Sequence, residues 1–87
     1  MRTIVVPIEM VNWMDKEGVT HPIRFRLTDE DEATKVVKIA GIHSCDREMI
    51  SGGLTYTFRC DVVLNGQMRL CEIRFYPEKS KWVLFKI

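Results

Sequence analysis

The chain has 87 residues, enough for one small domain and too few for a second hydrophobic core. Its 46% hydrophobic and 29% charged residues exclude intrinsic disorder, and its formal net charge of +1 excludes attraction to nucleic acid or membranes by overall charge. Valine, isoleucine, threonine and the aromatic residues together number 31, whereas alanine and leucine number 7. This bias favours strands over helices, so we expect residues 1–87 to form a single small all-β domain.

The first predicted strand is Thr3–Met14, a run of β-branched residues that Pro7 interrupts. Proline inside a strand is typical of a sheet edge, so we expect an edge strand that is interrupted near Pro7. A turn at residues 15–18 and a loose loop lead to a second strand in which apolar and basic residues alternate. The side chains expected to face the core are Ile23, Phe25 and Leu27, and those expected to face solvent are Arg24 and Arg26.

Four consecutive acidic residues, Asp29, Glu30, Asp31 and Glu32, predict a solvated turn, with a short helical turn as the alternative. They lack the spaced ligands and the central glycine of a calcium loop. A third strand is predicted at residues 34–43, where Gly41 breaks the alternation and indicates a bulge or a close approach of the backbone.

Residues 44–53 are predicted to form the longest loop, with one helical turn at residues 46–50 as the alternative. A ten-residue loop that ends in two glycines is, in a domain this small, a natural contact point for a partner. The residues predicted to make this contact are Arg47, Met49, Ile50, Gly52 and Gly53.

The strongest local signal is Asn65-Gly66 between two apolar runs, which predicts a hairpin with a two-residue type I′ turn. The turn sets the register of residues 54–64 against Gln67–Tyr76, so that Cys60 lies opposite Cys71 and Arg59 opposite Glu72. The face from Cys60 outward to Tyr56 is the predicted core face. A turn at residues 77–81 precedes a last strand at residues 82–87.

Six strands, mostly joined as a meander, predict a strongly bent antiparallel sheet or a small barrel of the SH3 or OB kind. An open sheet that dimerises through its edge is the alternative. Apolar residues on the second face favour closure or dimerisation, because an open sheet would expose them. These residues are Met10, Trp13, Val63, Met68 and Leu70.

The three cysteines, an odd number, favour reduced thiols over a secreted disulfide framework. The sequence shows no signal peptide and no apolar run near the about 18 residues that cross a bilayer, so we expect a cytoplasmic protein without a membrane partner. A zinc site could be assembled from His21, His43, Cys45, Cys60 and Cys71, but tight Cys-x-x-Cys pairs are missing. Cys45 also lacks a third group that would orient His43 as a base. We therefore expect no metal, no cofactor and no enzymatic activity.

Without a catalytic constellation, we interpret the chain as a non-catalytic binding or adaptor domain whose partner is a protein or its own copy. The alternative is single-stranded nucleic-acid binding through basic and aromatic side chains on the sheet, namely Arg24, Arg26, Tyr56, Arg59 and Arg74. The sequence pI of about 7.7 is lower than is usual for such domains.

The segment Gly52-Gly53-Leu54-Thr55-Tyr56-Thr57-Phe58-Arg59, followed by a hairpin and Lys81-Trp82, resembles a group of small uncharacterised bacterial proteins from Firmicutes. Their pattern is Gly-Gly, two variable positions and Tyr-Thr-Cys-Arg, and their Asp-x-x-Gly…Pro opening resembles Asp15, Gly18 and Pro22. Phe58 stands where the group usually has cysteine, which removes support for a functional thiol there. The resemblance implies a small β-domain and brings no established activity.

Overall fold

The computed structural model describes residues 1–28 and 30–87 and contains six antiparallel strands that close into a barrel. The strands are β1 (Thr3–Met14), β2 (Thr20–Thr28), β3 (Thr34–Ile50), β4 (Gly53–Leu64), β5 (Gln67–Tyr76) and β6 (Lys81–Lys86), with a 3-10 turn at Pro77–Lys79. Each strand pairs with the next one in sequence, and β6 pairs with β1. The predicted all-β meander is confirmed, in its closed form.

Side chains from all six strands fill the interior of the barrel. The buried apolar residues are Ile8, Phe25, Val37, Phe58, Cys60, Val62, Cys71, Ile73, Trp82 and Leu84. Trp82 packs between two rings, with centroid distances of 4.6 Å to Phe75 and 5.6 Å to Phe58. This interior is the main source of stability, because burying one large apolar side chain stabilises the fold by about 1.5–3 kcal/mol.

The β4–β5 hairpin has the predicted turn and the predicted register. Asn65 and Gly66 have φ angles of 51° and 76°, as a type I′ turn requires at both central positions. Cys60 lies opposite Cys71 and Arg59 opposite Glu72. The predicted core face is confirmed, since Cys60 and Cys71 are fully buried.

The prediction that β1 is an edge strand is wrong, whereas the interruption predicted near Pro7 is present as a bulge just before it. β1 is a continuous strand whose first half, residues 3–8, pairs with β6 and whose second half, residues 9–14, pairs with β2, because the barrel closes by pairing β1 with β6. Pro7 lies opposite Val83 within that ladder. The irregularity lies earlier, between Thr3 and Val6, where Val5 has a positive φ of 52°. This bulge next to Pro7 is one of the few places at which a sheet accepts proline.

The prediction that Ile23 faces the core is wrong, whereas Phe25 is buried and Leu27 packs against the core as predicted. Val11 pairs with Arg24 and Asn12 with Pro22, so Ile23 is an extra residue in β2. Such a bulge reverses the alternation beyond it. Pro22 is therefore buried, and Ile23 is 40% exposed.

The predicted loop at residues 44–53, and the alternative helical turn within it, are also wrong. β3 continues for 17 residues to Ile50, so Arg47, Met49 and Ile50 lie in a strand. Gly53 begins β4, and only Ser51 and Gly52 form the turn. The segment is a strand because it pairs residue by residue with β4 as far as Ile50 and Gly53.

Two smaller expectations concern the turns and the bulge in β3. Glu30, Asp31 and Glu32 lie in an exposed turn, as predicted, while Asp29 lies outside the described residues. The bulge predicted at Gly41 is present one residue earlier, because Ile39 pairs with Val62 and Gly41 with Asp61. A second irregularity follows at His43.

Candidate functional site

At one end of the barrel β2 and β3 separate. Their ladder runs from the Thr28–Thr34 pair to the Arg24–Lys38 pair and stops there. The next residues of β2, on the N-terminal side of Arg24, are the bulged Ile23 and Pro22. Pro22 has no backbone N–H, so β2 cannot continue the ladder with β3 regularly. Among the residues that the structure describes, residues 39–50 of β3 consequently have no strand on the side facing β2. We call this unpaired side of β3 the free edge.

The gap between the two strands opens into a cavity of about 580 Å³. The free-edge side contributes Ile42 and Cys45, and the β2 side contributes Val19, Thr20 and His21. Aromatic and aliphatic side chains from β4 and β5 form the floor, namely Leu54, Tyr56, Phe58 and Phe75. A largely apolar concavity of this volume falls in the size range of binding sites in proteins.

The β1–β2 turn forms the polar rim of this cavity, and it is tightly bonded rather than loose as predicted. Asp15 Oδ1 accepts hydrogen bonds of 2.9 Å from the backbone N–H groups of Glu17 and Val19. Asp15 Oδ2 lies 3.0 Å from His21 Nε2, and these contacts with His21 and Val19 lower the pKa of Asp15. Trp13 stacks on the His21 ring at 4.1 Å, so the rim is held in place.

The residues considered for zinc or for nucleophilic catalysis lie apart. His43 pairs with Asp61 through Nε2 and Oδ2 at 2.9 Å and does not line the cavity, whereas Cys45 does. Cys60 and Cys71 lie in the core with their Sγ atoms 3.4 Å apart. Within residues 1–28 and 30–87, no group of three His, Cys, Asp or Glu side chains is placed to hold a metal ion.

The five residues predicted as a basic and aromatic surface are distributed over three strands and two faces. Arg24 and Arg26 lie on β2, separated from the others by β3, and Arg26 forms two hydrogen bonds to Glu9, of 2.9 and 3.1 Å. Arg59 and Arg74 lie closer together on β4 and β5. Tyr56 faces the cavity instead, so the barrel does not bring these five residues into one patch.

Arg74 is half-buried. Its Cζ lies 3.5 Å from the centroid of the Phe85 ring, and its Nε is buried without a hydrogen-bond partner. A guanidinium over an aromatic face is stabilised by the charge distribution of the ring. This contact turns Arg74 toward β6.

Most of the cavity residues were not predicted as a site. Tyr56 was predicted as a binding residue, and Cys45 and His21 were considered only for metal binding. The remaining lining residues come from three segments, and only the separation of β2 and β3 brings them together. The one sequence signal was His21-Pro22, a proline inside a strand that otherwise alternates.

No protein-family model, curated protein or solved structure matches this chain. None of the helical structure in the described part of the chain has the length and apolar character that a membrane-crossing helix requires. The site therefore has to be interpreted from its own geometry.

Proposed function

We propose that this protein is a non-catalytic binding domain that takes an extended segment of a partner protein into the gap between β2 and β3. The observation that carries the proposal is the free edge of β3, which runs directly beside an apolar cavity. A segment laid along the free edge would form backbone hydrogen bonds to β3. Its inward side chains would enter the cavity.

Strand addition of this kind divides recognition into two parts: main-chain hydrogen bonds give affinity, and pockets for alternate side chains give specificity. Both parts are available here. Residues 40–49 of β3 are exposed, and the cavity lies on the inner side of the same strand. An unpaired edge of this length is otherwise a liability for a folded protein, which supports a role for it.

Nucleic-acid binding remains the second hypothesis, and the geometry favours it less. Single-strand binders combine a continuous basic groove with exposed stacking rings. Here Arg26 is paired with Glu9, Arg74 is packed on Phe85, and Tyr56 faces the cavity. The free edge and the cavity, by contrast, are contiguous.

A cytoplasmic location is part of the proposal, and the thiols support it. Cys60 and Cys71 lie side by side as free thiols, and Cys45 is exposed. Free thiols in this arrangement persist in a reducing compartment, whereas an oxidising one favours disulfides.

The proposal can be tested with displayed peptides of about ten residues, selected against the immobilised protein. We expect selected peptides to lose at least about tenfold in affinity for the Cys45→Phe variant, because the larger ring fills the cavity. Thr34→Phe is the matched control, since Thr34 is an exposed β3 residue of similar size that pairs with Thr28, lies outside the free edge and does not line the cavity, and it should bind as the unmodified protein does. Fluorescence anisotropy gives the dissociation constants.

Hydrogen exchange provides a readout that does not depend on the variants. Bound peptide should slow the exchange of backbone amides at residues 39–50, because strand addition gives them partners. Failure to select any peptide would refute the proposal. Equal binding to Cys45→Phe, or protection confined to another part of the barrel, would refute it as well.

A further inference from the structure

The two faces of the free edge differ in chemistry, and β4 shows which face each side chain is on. Cys45 lies opposite Phe58, a core residue, and therefore on the inner face. Asp46 and Glu48 are one and three residues beyond Cys45 in an unbroken ladder and therefore on the outer face. Successive strand residues alternate between faces, so a segment added along this edge would alternate in the same way.

The outer face of the free edge is acidic and lacks neutralising partners. Asp46 and Glu48 are both exposed, and their neighbours on β4 are uncharged threonines. Neither carboxylate takes part in an ion pair within residues 1–28 and 30–87. On β4, Arg59 lies on the outer face opposite Ser44, which places it diagonal to Asp46 and not directly opposite. The carboxylates are thus available to a cation on an adjoining strand.

The inner face is apolar over the length of the cavity. Ile42 and Cys45 border it on β3, and the rings of Tyr56 and Phe75, 6.5 Å apart, form the floor. Arg47 follows on the inner face, opposite Tyr56, but is not part of the cavity lining. Side chains that enter from an added strand would therefore meet apolar surface.

We infer that the partner segment alternates apolar residues with lysine or arginine, an inference that rests on the proposed function. Apolar side chains fill the cavity, and the basic ones lie on the outer face beside Asp46 and Glu48. Opposite charges on neighbouring strands stabilise a pair, and like charges destabilise it.

A second copy of this chain fits the free edge less well. Antiparallel pairing of two β3 edges about a two-fold axis would place Asp46 and Glu48 of both copies on one outer face. Four carboxylates would then lie together on that face, whereas Arg47, the cation of each free edge, lies on the inner face. A nucleic acid would meet the same negative charge.

Three peptides of about ten residues distinguish these possibilities. In the first, large apolar residues alternate with lysine; in the second, glutamate replaces lysine; in the third, threonine does. We expect the lysine peptide to bind at least about tenfold more tightly than the glutamate peptide, with a difference that shrinks as salt is raised. A scrambled lysine peptide with its apolar residues in one block should bind weakly, because it cannot sort its side chains between the faces.

Charge reversal at the free edge is the decisive variant. In the double variant Asp46→Lys and Glu48→Lys, the glutamate peptide should bind more tightly than the lysine peptide. Both sites are exposed, and an unchanged melting temperature would show that the fold is retained. Glu30→Lys with Glu32→Lys is the matched control, since it makes the same charge change in the turn before β3 and should keep the original preference.

The outcomes separate this inference from the proposed function. Equal affinity for the three alternating peptides would overturn the charge preference and leave strand binding intact. Absence of binding by all three, including the threonine peptide, would overturn both. Concentration-dependent dimerisation of the unmodified protein that Asp46→Lys with Glu48→Lys changes, or oligonucleotide binding by the unmodified protein that protects the amides of residues 39–50, would assign the site to those partners instead.

Discussion

The three cysteines lie in two different environments, and their thiols should react accordingly. Cys60 and Cys71 are fully buried with their sulfur atoms in contact. Their shared S–H hydrogen bond and their burial raise the pKa of the Cys71 thiol far above its usual range. Desolvation and the neighbouring Asp46 carboxylate raise the pKa of Cys45, which borders the cavity.

We predict that one thiol per chain reacts with a disulfide reagent in the native protein and that two more react only after unfolding. Cys45 should be the native one. Because the thiolate is the nucleophile and a raised pKa leaves little of it at neutral pH, the rate should still be rising beyond about pH 8.5, the ordinary thiol pKa.

The Cys45→Ser variant is the control for this assignment and should abolish the native reaction. Three reactive thiols in the native state would contradict the buried Cys60–Cys71 pair. A rate that levels off below about pH 8.5 would contradict the raised pKa of Cys45.

The predicted side of a residue was correct where its own strand determines it and wrong where pairing with a distant strand does. Phe25 was placed correctly because it follows the alternation of its own strand. Ile23 was misplaced because the bulge that turns it outward arises from pairing with β1, between Val11 and Asn12. Pro22 signals that a strand is irregular there, but not which residue becomes the extra one.

Among the elements, the β4–β5 hairpin was fully predictable and β3 was not. Asn65-Gly66 selects one turn geometry, and that geometry fixes every pair that follows. The second half of β3 is polar from Ser44 to Glu48 and reads as a loop. It is a strand because β4 supplies its partner, which is tertiary information that the segment itself does not contain.

We predict that Gly66→Ala lowers the free energy of unfolding by about 1–2 kcal/mol, because a side chain is disfavoured at its φ of 76°. Urea denaturation followed by tryptophan fluorescence measures the change. Gly41→Ala is the matched control, since its φ is not positive and an added Cβ meets no atom within 4 Å. Equal stabilities for the two variants would show that the turn conformation does not limit stability.

At the scale of the whole molecule, closure depends on β6, which joins β1 to β5. Leu84 is 1% exposed and lies opposite Val6 on β1 and Ile73 on β5. We predict that Leu84→Ala lowers the unfolding free energy by about 2–5 kcal/mol, a large share of the about 5–15 kcal/mol typical of a domain.

Met68→Ala is the comparison for Leu84→Ala, since Met68 is 63% exposed and its truncation leaves no internal void. It should change stability by no more than about 0.5 kcal/mol. The stability losses of the two variants are compared from their urea midpoints, provided that the dependence of the unfolding free energy on urea concentration is unchanged. Similar losses in the two would indicate that packing inside the barrel is not what holds it closed.

The positions of the charged side chains on the surface depend on how the strands place them and not on the net charge of the chain. A formal net charge of +1 supplies no overall basic surface, so a basic patch would have to come from the way the strands place their arginines, and the barrel separates Arg24 and Arg26 from Arg59 and Arg74. The same sorting leaves Asp46 and Glu48 together on the outer face of β3. The site could not be predicted from the sequence alone, because its unpaired edge results from the separation of β2 and β3 in the folded barrel.

The pairing of β1 with β6 also has a kinetic consequence. Arg2 N–H donates to the Ile87 carbonyl oxygen at 2.8 Å, and Ile87 N–H donates to that of Arg2 at 3.0 Å. These partners are separated by nearly the whole sequence, so the ladder between them forms only after a very long loop has closed. The hairpins can form quickly from local contacts. We expect the pairing of β1 with β6 to be the rate-limiting step of folding, in the millisecond-to-second range of proteins rich in non-local pairings. Until the barrel is sealed, β1 and β6 each expose an unprotected strand edge.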